Sequence, residues 1–219
     1  MGRPRLAAND VATTARLLAA AQREFGRVGF DSVRLEDIAR AAGISRPSLL
    51  YHFGSKDELY AAAVNASFAR LSAAVARAME MEGDFLSRFD TVIERYVAFI
   101  DAEPELVRLV LRELLDGRGP GHHMLLTAGL PVLRGVERWV RDEGRGAIRR
   151  GLPVRAALLE LVTAALVRSA SGPLREPLWG TKDHTVTLAR QLFLPDGEPR
   201  SSRGSRTSRD ASGPRAARH

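Results

Sequence analysis

The stretch at residues 38–60, IARAAGISRPSLLYHFGSKDELY, predicts two short amphipathic helices, a tight turn between them and the start of a longer third helix. Gly43 stands where the chain has to reverse, and glycine takes a positive φ without steric cost. Ser45 offers a hydroxyl that can cap the second helix, and Pro47 fits only in the first turn of a helix. Residues 55–58, SKDE, form a capping box that opens the third helix. This spacing indicates a helix-turn-helix whose second helix reads DNA.

The N-terminal part of the chain, roughly residues 10 to 62, resembles the DNA-binding domain of the TetR family of transcriptional regulators. Its most specific part is residues 51–59, YHFGSKDEL, which is similar to the family's YxHF-type signature with its lysine. Residues 38–45, IARAAGIS, are also family-like. The family usually has threonine where this chain has Arg34, and arginine cannot accept a backbone N–H as a capping threonine does.

Eight side chains on and around the second motif helix are the predicted DNA contacts. Arg46, Ser48 and His52 should project away from Leu49 towards a groove, and arginine paired with guanine is the commonest specific base contact. The resemblance implies that Tyr51 and Lys56 bind phosphate. A solvated Lys56 and a His52 without any DNA contact remain open alternatives. The full predicted set is Arg34, Ser45, Arg46, Pro47, Ser48, Tyr51, His52 and Lys56.

The charge of the chain is concentrated at its two ends. The net charge is +7, of which residues 1–56 carry +4 and residues 195–219 carry +3, while residues 57–194 are neutral. An excess of positive charge on the motif favours a polyanionic partner, and a neutral middle favours an uncharged one. The alternative is that arginine is merely abundant, since 31 of the 33 basic residues are arginine.

Several classes of protein are disfavoured by the composition. Without cysteine, the chain has no disulfide framework and no thiolate metal site. No apolar run reaches ~18 residues, and the N-terminus lacks the apolar region of a signal peptide. We therefore expect a cytoplasmic protein with no membrane span, metal or cofactor.

Helical periodicity runs through most of the chain and predicts an all-α fold of about nine helices. A three-helix DNA-binding domain with the helix-turn-helix is expected at residues 10–54 and a larger helical domain for effector binding and dimerisation at residues 55–194. Residues 1–9 are expected to form a disordered arm, and residues 195–219 a disordered basic tail. A helix predicted from about residue 122 should be kinked at Pro131.

Two further sites are predicted in the larger domain. An effector pocket among the middle helices is predicted to be lined by Tyr96, Phe99, Arg112, Glu113, Met124 and Trp139. The helices predicted at about residues 154–171 and 181–194 should pair with a second copy in a four-helix bundle, as the family does. The predicted interface is Leu158, Leu161, Val162, Ala165, Leu166, Val186 and Leu192, and the alternative is that these residues form ordinary core.

The resemblance implies a homodimeric, ligand-responsive repressor that binds a palindromic operator in double-stranded DNA. One alternative is a DNA-binding regulator without a small-molecule effector. The other is a small helical enzyme with an accidental motif, which is disfavoured because the sequence has no nucleophile–base signature, phosphate loop or metal-ligand cluster.

Overall fold

The computed structural model describes residues 8–116 and 120–195, and these ranges are all-α. The N-terminal part comprises α1 (Ala8–Val28), α2 (Leu35–Ala42), α3 (Arg46–His52) and α4 (Lys56–Met79). The remainder comprises α5 (Phe85–Ala102), α6 (Pro104–Asp116), α7 (Pro120–Met124), α8 (Leu130–Glu143), α9 (Val154–Ala170), α10 (Arg175–Trp179) and α11 (Thr185–Phe193). The predicted fold class is confirmed. The predicted arm lies outside the described residues except for its last two, which begin α1, and so does the predicted tail after residue 195.

The helix-turn-helix forms because its turn and caps are encoded locally. Gly43 ends α2 in the left-handed region at φ 72°, and its N–H reaches the last carbonyls of that helix. The Ser45 hydroxyl accepts the Ser48 N–H at 3.3 Å, and the Ser55 hydroxyl accepts the Glu58 N–H at 3.1 Å. Arg34 stands at the N-cap of α2 without a side-chain capping bond, so this helix starts without the hydroxyl that the family usually supplies.

The N-terminal core extends beyond the predicted domain boundary at residue 54. Phe25 of α1 packs edge-on against Tyr60 of α4, with ring centroids 4.8 Å apart, and Leu49 of α3 is fully buried. Leu109 of α6 belongs to the same cluster of buried residues. The helices of the helix-turn-helix part and the larger bundle therefore share buried contacts through α4 and α6.

The helix α4 runs through the centre of the bundle, in contact with α1, α5 and α8. By length and hydropathy it also passes as a candidate membrane span, as does α9 taken with the segment that follows it at a bend of 111°. Core helices of packed bundles pass the same test, and both helices pack within the bundle described above.

A π-helical turn, Leu125–Gly129, joins α7 to α8 where a kink was predicted. Pro131 has no N–H to donate, and the Leu130 N–H bonds the Leu125 carbonyl five residues back. The helix from Pro120 to Glu143 therefore runs without a break, with one wider π-helical turn at Leu125–Gly129. The short helix α10 and the 3-10 turn before it, Gly172–Leu174, were not predicted.

Candidate DNA-binding surface and effector cavity

The helix α3 presents its polar side because a single buried residue anchors it. Leu49 has no exposed surface, whereas Arg46 and Pro47 are exposed and Tyr51 is 87% exposed. Ser48 and His52 are half-buried at the edges of the same face. All eight predicted DNA contacts lie at least partly exposed, on α3 or at the N-termini of the helices on either side. That arrangement leaves them available to a large external ligand.

An ion pair holds Arg46, the predicted base contact. Its Nε lies 3.2 Å from Oε1 of Glu36 in α2, and both side chains are about half exposed. Such a solvent-exposed pair contributes roughly 0–1 kcal/mol, so exchanging Glu36 for a base or a phosphate costs little. Glu36 was not predicted as part of this surface, because its position depends on how α2 crosses α3 and leaves no signal in the spacing.

Lys56 is tied to the loop between α1 and α2 rather than being freely solvated. Its ammonium donates to the Asp31 carbonyl at 3.2 Å and lies 4.7 Å from the centroid of the Phe30 ring. An ammonium has three donors, so two remain for a phosphate oxygen. The contact also holds the first turn of α4 against the N-terminal core.

A cavity of about 350 Å³ lies among the helices of the larger bundle. Two of the six residues predicted to line an effector pocket, Tyr96 and Phe99, line this cavity. The Tyr96 hydroxyl donates to the Val162 carbonyl at 3.2 Å, and burial raises the pKa of Tyr96 above its usual range. Its other walls come from α4, α5, α6, the π-helical turn, α8, α9 and the first residue of α11.

The other four predicted pocket residues lie elsewhere, which corrects that prediction. Arg112 lies against Gly29, and Glu113 accepts a hydrogen bond from the Tyr60 hydroxyl at 2.9 Å. Met124 packs on the N-terminal core, and Trp139 lies beside Phe85, with ring centroids 5.2 Å apart. The physical reason is that α6 turns its polar face towards α1 and α4, an orientation that helical periodicity does not specify.

Most of the predicted dimer residues face inward, which corrects that prediction as well. Leu158, Ala165 and Leu166 are buried core, and Leu161 and Val162 line the cavity. Val186 packs on a buried cluster, and Leu192 is exposed. The large apolar residues that α9 and α11 expose are Leu159, Val167, Leu188 and Leu192, at 36–55% exposure. Because α9 is apolar around most of its circumference, its periodicity could not identify the outward face.

No group of three or more histidine, aspartate or glutamate residues within residues 8–116 and 120–195 is arranged to hold a metal ion. The described side chains offer charge and hydrogen bonding at the motif, and apolar contact in the cavity.

The helix-turn-helix region matches known regulatory proteins. Residues 17–63 match the family described as "Bacterial regulatory proteins, tetR family". The chain is 33% identical over 94 residues to the HTH-type transcriptional activator FasR of Mycolicibacterium smegmatis, a match that covers 43% of each protein. It is 50% identical over 46 residues to the HTH-type transcriptional regulator RutR of Escherichia coli K12, covering 21% of this chain and 22% of RutR. The chain thus spans less than half the length of the curated relatives it matches.

Solved structures match over most of the chain. The fatty acid degradation regulator FadR from Bacillus halodurans has a TM-score of 0.65 at 16% identity, covering 83% of this chain and 94% of that chain. A TetR-like transcriptional regulator from Rhodococcus sp. RHA1 has a TM-score of 0.63 at 20% identity, covering 87% and 96%. At these identities the likeness shows the fold. The named relatives are transcriptional regulators rather than enzymes.

Proposed function

We propose that this chain, which belongs to the TetR family of DNA-binding transcriptional regulators, is a cytoplasmic, ligand-responsive repressor that binds a palindromic operator as a homodimer. The observation that carries the proposal is the position of α6. One face of this helix packs on α1 and reaches Tyr60 of α4, and the other face lines the cavity.

The contacts of α6 with the DNA-binding helices are close and partly polar. A Cβ added at Gly26 of α1 would lie 2.5 Å from the Glu105 carbonyl oxygen, so α1 and α6 nearly touch backbone to backbone. Further along α6, Glu113 accepts the Tyr60 hydrogen bond inside the protein. Any displacement of α6 has to be followed by α1 and α4 or has to break these contacts.

The opposite face of α6 forms one wall of the cavity through Leu106, Val107 and Val110. A molecule that fills the cavity contacts this wall, and close-packed protein interiors transmit small shifts. The helix therefore supports a coupling between an occupied cavity and the orientation of α3. A ligand that binds one orientation more tightly shifts the population towards it.

Homodimerisation is supported by the exposed apolar face of α9 and α11. Val167, Leu188 and Leu192 stand on neighbouring helices and are solvent-exposed in the single chain. A two-fold axis through this face pairs identical patches, which is the usual symmetry of soluble homo-oligomers. Two α3 helices related in this way suit half-sites in major grooves one or more helical turns apart, each turn about 34 Å.

Selection of binding sites from random DNA by the full chain tests the proposal. We expect an inverted repeat, bound by two chains, and much weaker binding when one half of the repeat is scrambled. Selection of a single asymmetric site bound by one chain would refute the homodimer on a palindrome.

The direction of regulation needs a separate measurement. A promoter that carries the selected site should be transcribed less in vitro when the protein is added. Increased transcription would mean an activator, which is the description that FasR carries.

A further inference from the structure

Among the residues that the structure describes, the walls of the cavity carry no charged side chain. Apolar residues supply almost all of its lining, among them Phe99, Val107, Val110, Leu114, Leu126 and Val136. Gly129, Tyr96, Thr163 and Thr185 complete it. A ligand enclosed here meets hydrocarbon on nearly every side.

The three hydroxyl groups in the lining already have partners within the protein. Tyr96 donates to the Val162 carbonyl at 3.2 Å, and Thr163 donates to the Leu159 carbonyl at 2.7 Å. Thr185 donates to a carboxylate oxygen of Asp183 at 2.6 Å. A polar atom of a ligand would have to compete with these bonds or stay unpaired, and either outcome weakens binding.

The opening of the cavity is apolar as well. Leu114 of α6, Leu126 of the π-helical turn and Leu159 of α9 all line the cavity while being 56%, 53% and 41% exposed. The apolar surface therefore continues from the interior to the solvent. A ligand with one polar end can bury its apolar part and leave that end in water beside these leucines.

We infer that the cavity binds the aliphatic chain of an amphiphilic ligand, forms no ion pair with it and leaves its polar end at the opening. The cavity of about 350 Å³ holds roughly ten to twelve methylene groups, if each takes about the volume share of a water molecule. This inference rests on the proposed ligand response for its regulatory role, but the binding itself can be measured without DNA.

The first test is a chain-length series of 1-alkanols from hexanol to tetradecanol. Each alkanol competes with the uncharged dye N-phenyl-1-naphthylamine, whose fluorescence reports occupancy of an apolar site. Affinity should rise about fourfold per methylene, as expected for buried hydrocarbon, and level off near dodecanol, when the cavity is full. Affinity that does not depend on chain length, or tighter binding of 1-adamantanol than of 1-decanol, would refute the inference that the cavity binds an aliphatic chain.

The second test concerns the charge of the ligand. Decanoate and decylammonium should bind within a few-fold of decanol, because all three would keep the head group in water. If either ion binds more than about tenfold tighter than decanol, equivalent to about 1.4 kcal/mol, an ion pair forms and the inference is wrong.

The third test changes the size of the cavity. Val136→Phe should shift the plateau of the series towards shorter alkanols by about two carbons, since the larger side chain removes roughly that much room. Val110→Phe, on α6, should shift the plateau in the same direction, and it replaces Val136→Phe in the test if that variant does not fold. Val11→Phe, at an exposed position on α1, is the matched control and should leave the series unchanged. A plateau that moves in neither cavity variant would place the alkanols elsewhere.

The proposed ligand response is tested separately, by measuring whether alkanols release the protein from the selected operator. Alkanol binding without any effect on DNA would keep the inference and refute the ligand response. If the protein binds its operator but alkanols do not bind with the expected dependence on chain length, the inference is refuted and the proposal of a DNA-binding regulator stands.

Discussion

The hydrogen bond between Tyr60 and Glu113 offers a direct test of the link between the DNA-binding helices and α6. Both side chains are buried, and the Tyr60 hydroxyl lies 2.9 Å from Oε1 of Glu113. The second carboxyl oxygen of Glu113 is buried and has no hydrogen-bond partner within residues 8–116 and 120–195. Burial and the bond to Glu113 together raise the pKa of Tyr60, so the phenol stays a donor throughout the usable pH range.

Tyr60→Phe removes that donor from Oε1 of Glu113, whose other oxygen already lacks a partner among the described residues. A hydrogen bond to a charged group contributes roughly 1.5–3 kcal/mol, and an unpaired buried carboxylate adds to the cost. We therefore expect the free energy of unfolding to fall by about 2–3 kcal/mol, measured by urea denaturation.

Tyr96→Phe is the matched control, because it removes the same atom from a partly buried tyrosine. Its partner is the Val162 carbonyl, a neutral acceptor inside α9. This substitution should cost about 1 kcal/mol or less. The double variant Tyr60→Phe/Glu113→Leu should be more stable than the sum of its two single variants implies, by about 1–2 kcal/mol, since no unpaired group remains.

Two results would refute the reasoning. One is a Tyr60→Phe variant that is no less stable than Tyr96→Phe. The other is simple additivity between Tyr60→Phe and Glu113→Leu, which would mean that the two side chains are not energetically coupled.

The remaining predictions concern DNA binding, assembly and pH. Arg46→Ala should lose about 1–3 kcal/mol of preference at one base pair per half-site, in a panel of operator variants, whereas Leu49→Ala should lower folding stability by about 2–5 kcal/mol without redirecting specificity. An equal loss on every sequence would make Arg46 a phosphate contact. Lys56→Ala should weaken all DNA binding and reduce the slope of log K against log[salt] by about 1 per subunit; an unchanged slope removes Lys56 from the interface. Val167→Arg should give folded monomers in sedimentation, and an intact dimer would place the interface elsewhere. Hydrogen bonding from Arg155, with Arg141, lowers the pKa of Glu137, so its stabilisation is present above the unfolded pKa and lost as pH falls through the folded pKa. Glu137→Gln should flatten that acid-side loss in urea titrations, and an identical pH profile would contradict the assignment.

The sequence by itself determined the features whose physics is local. The turn at Gly43 and the caps at Ser45 and Ser55 involve residues within four positions of one another, so their pattern can be recognised in the letters. The same holds for the family resemblance, which rests on a contiguous motif and is confirmed by the match over residues 17–63. Helix positions followed from periodicity for the same reason.

Only the tertiary structure decided which side of each helix faces which neighbour. In α6, polar and apolar residues both end up buried, because Glu113 finds Tyr60 across 53 positions of sequence while Val107 faces the cavity. In α9, apolar residues occur on nearly every side, so burial of Leu158 and exposure of Leu159 depend on where the neighbouring helices lie. The pairing of Arg46 with Glu36 likewise depends on a helix crossing. Periodicity fixes the spacing of side chains along one helix, but the rotation of that helix about its axis is set by packing against others.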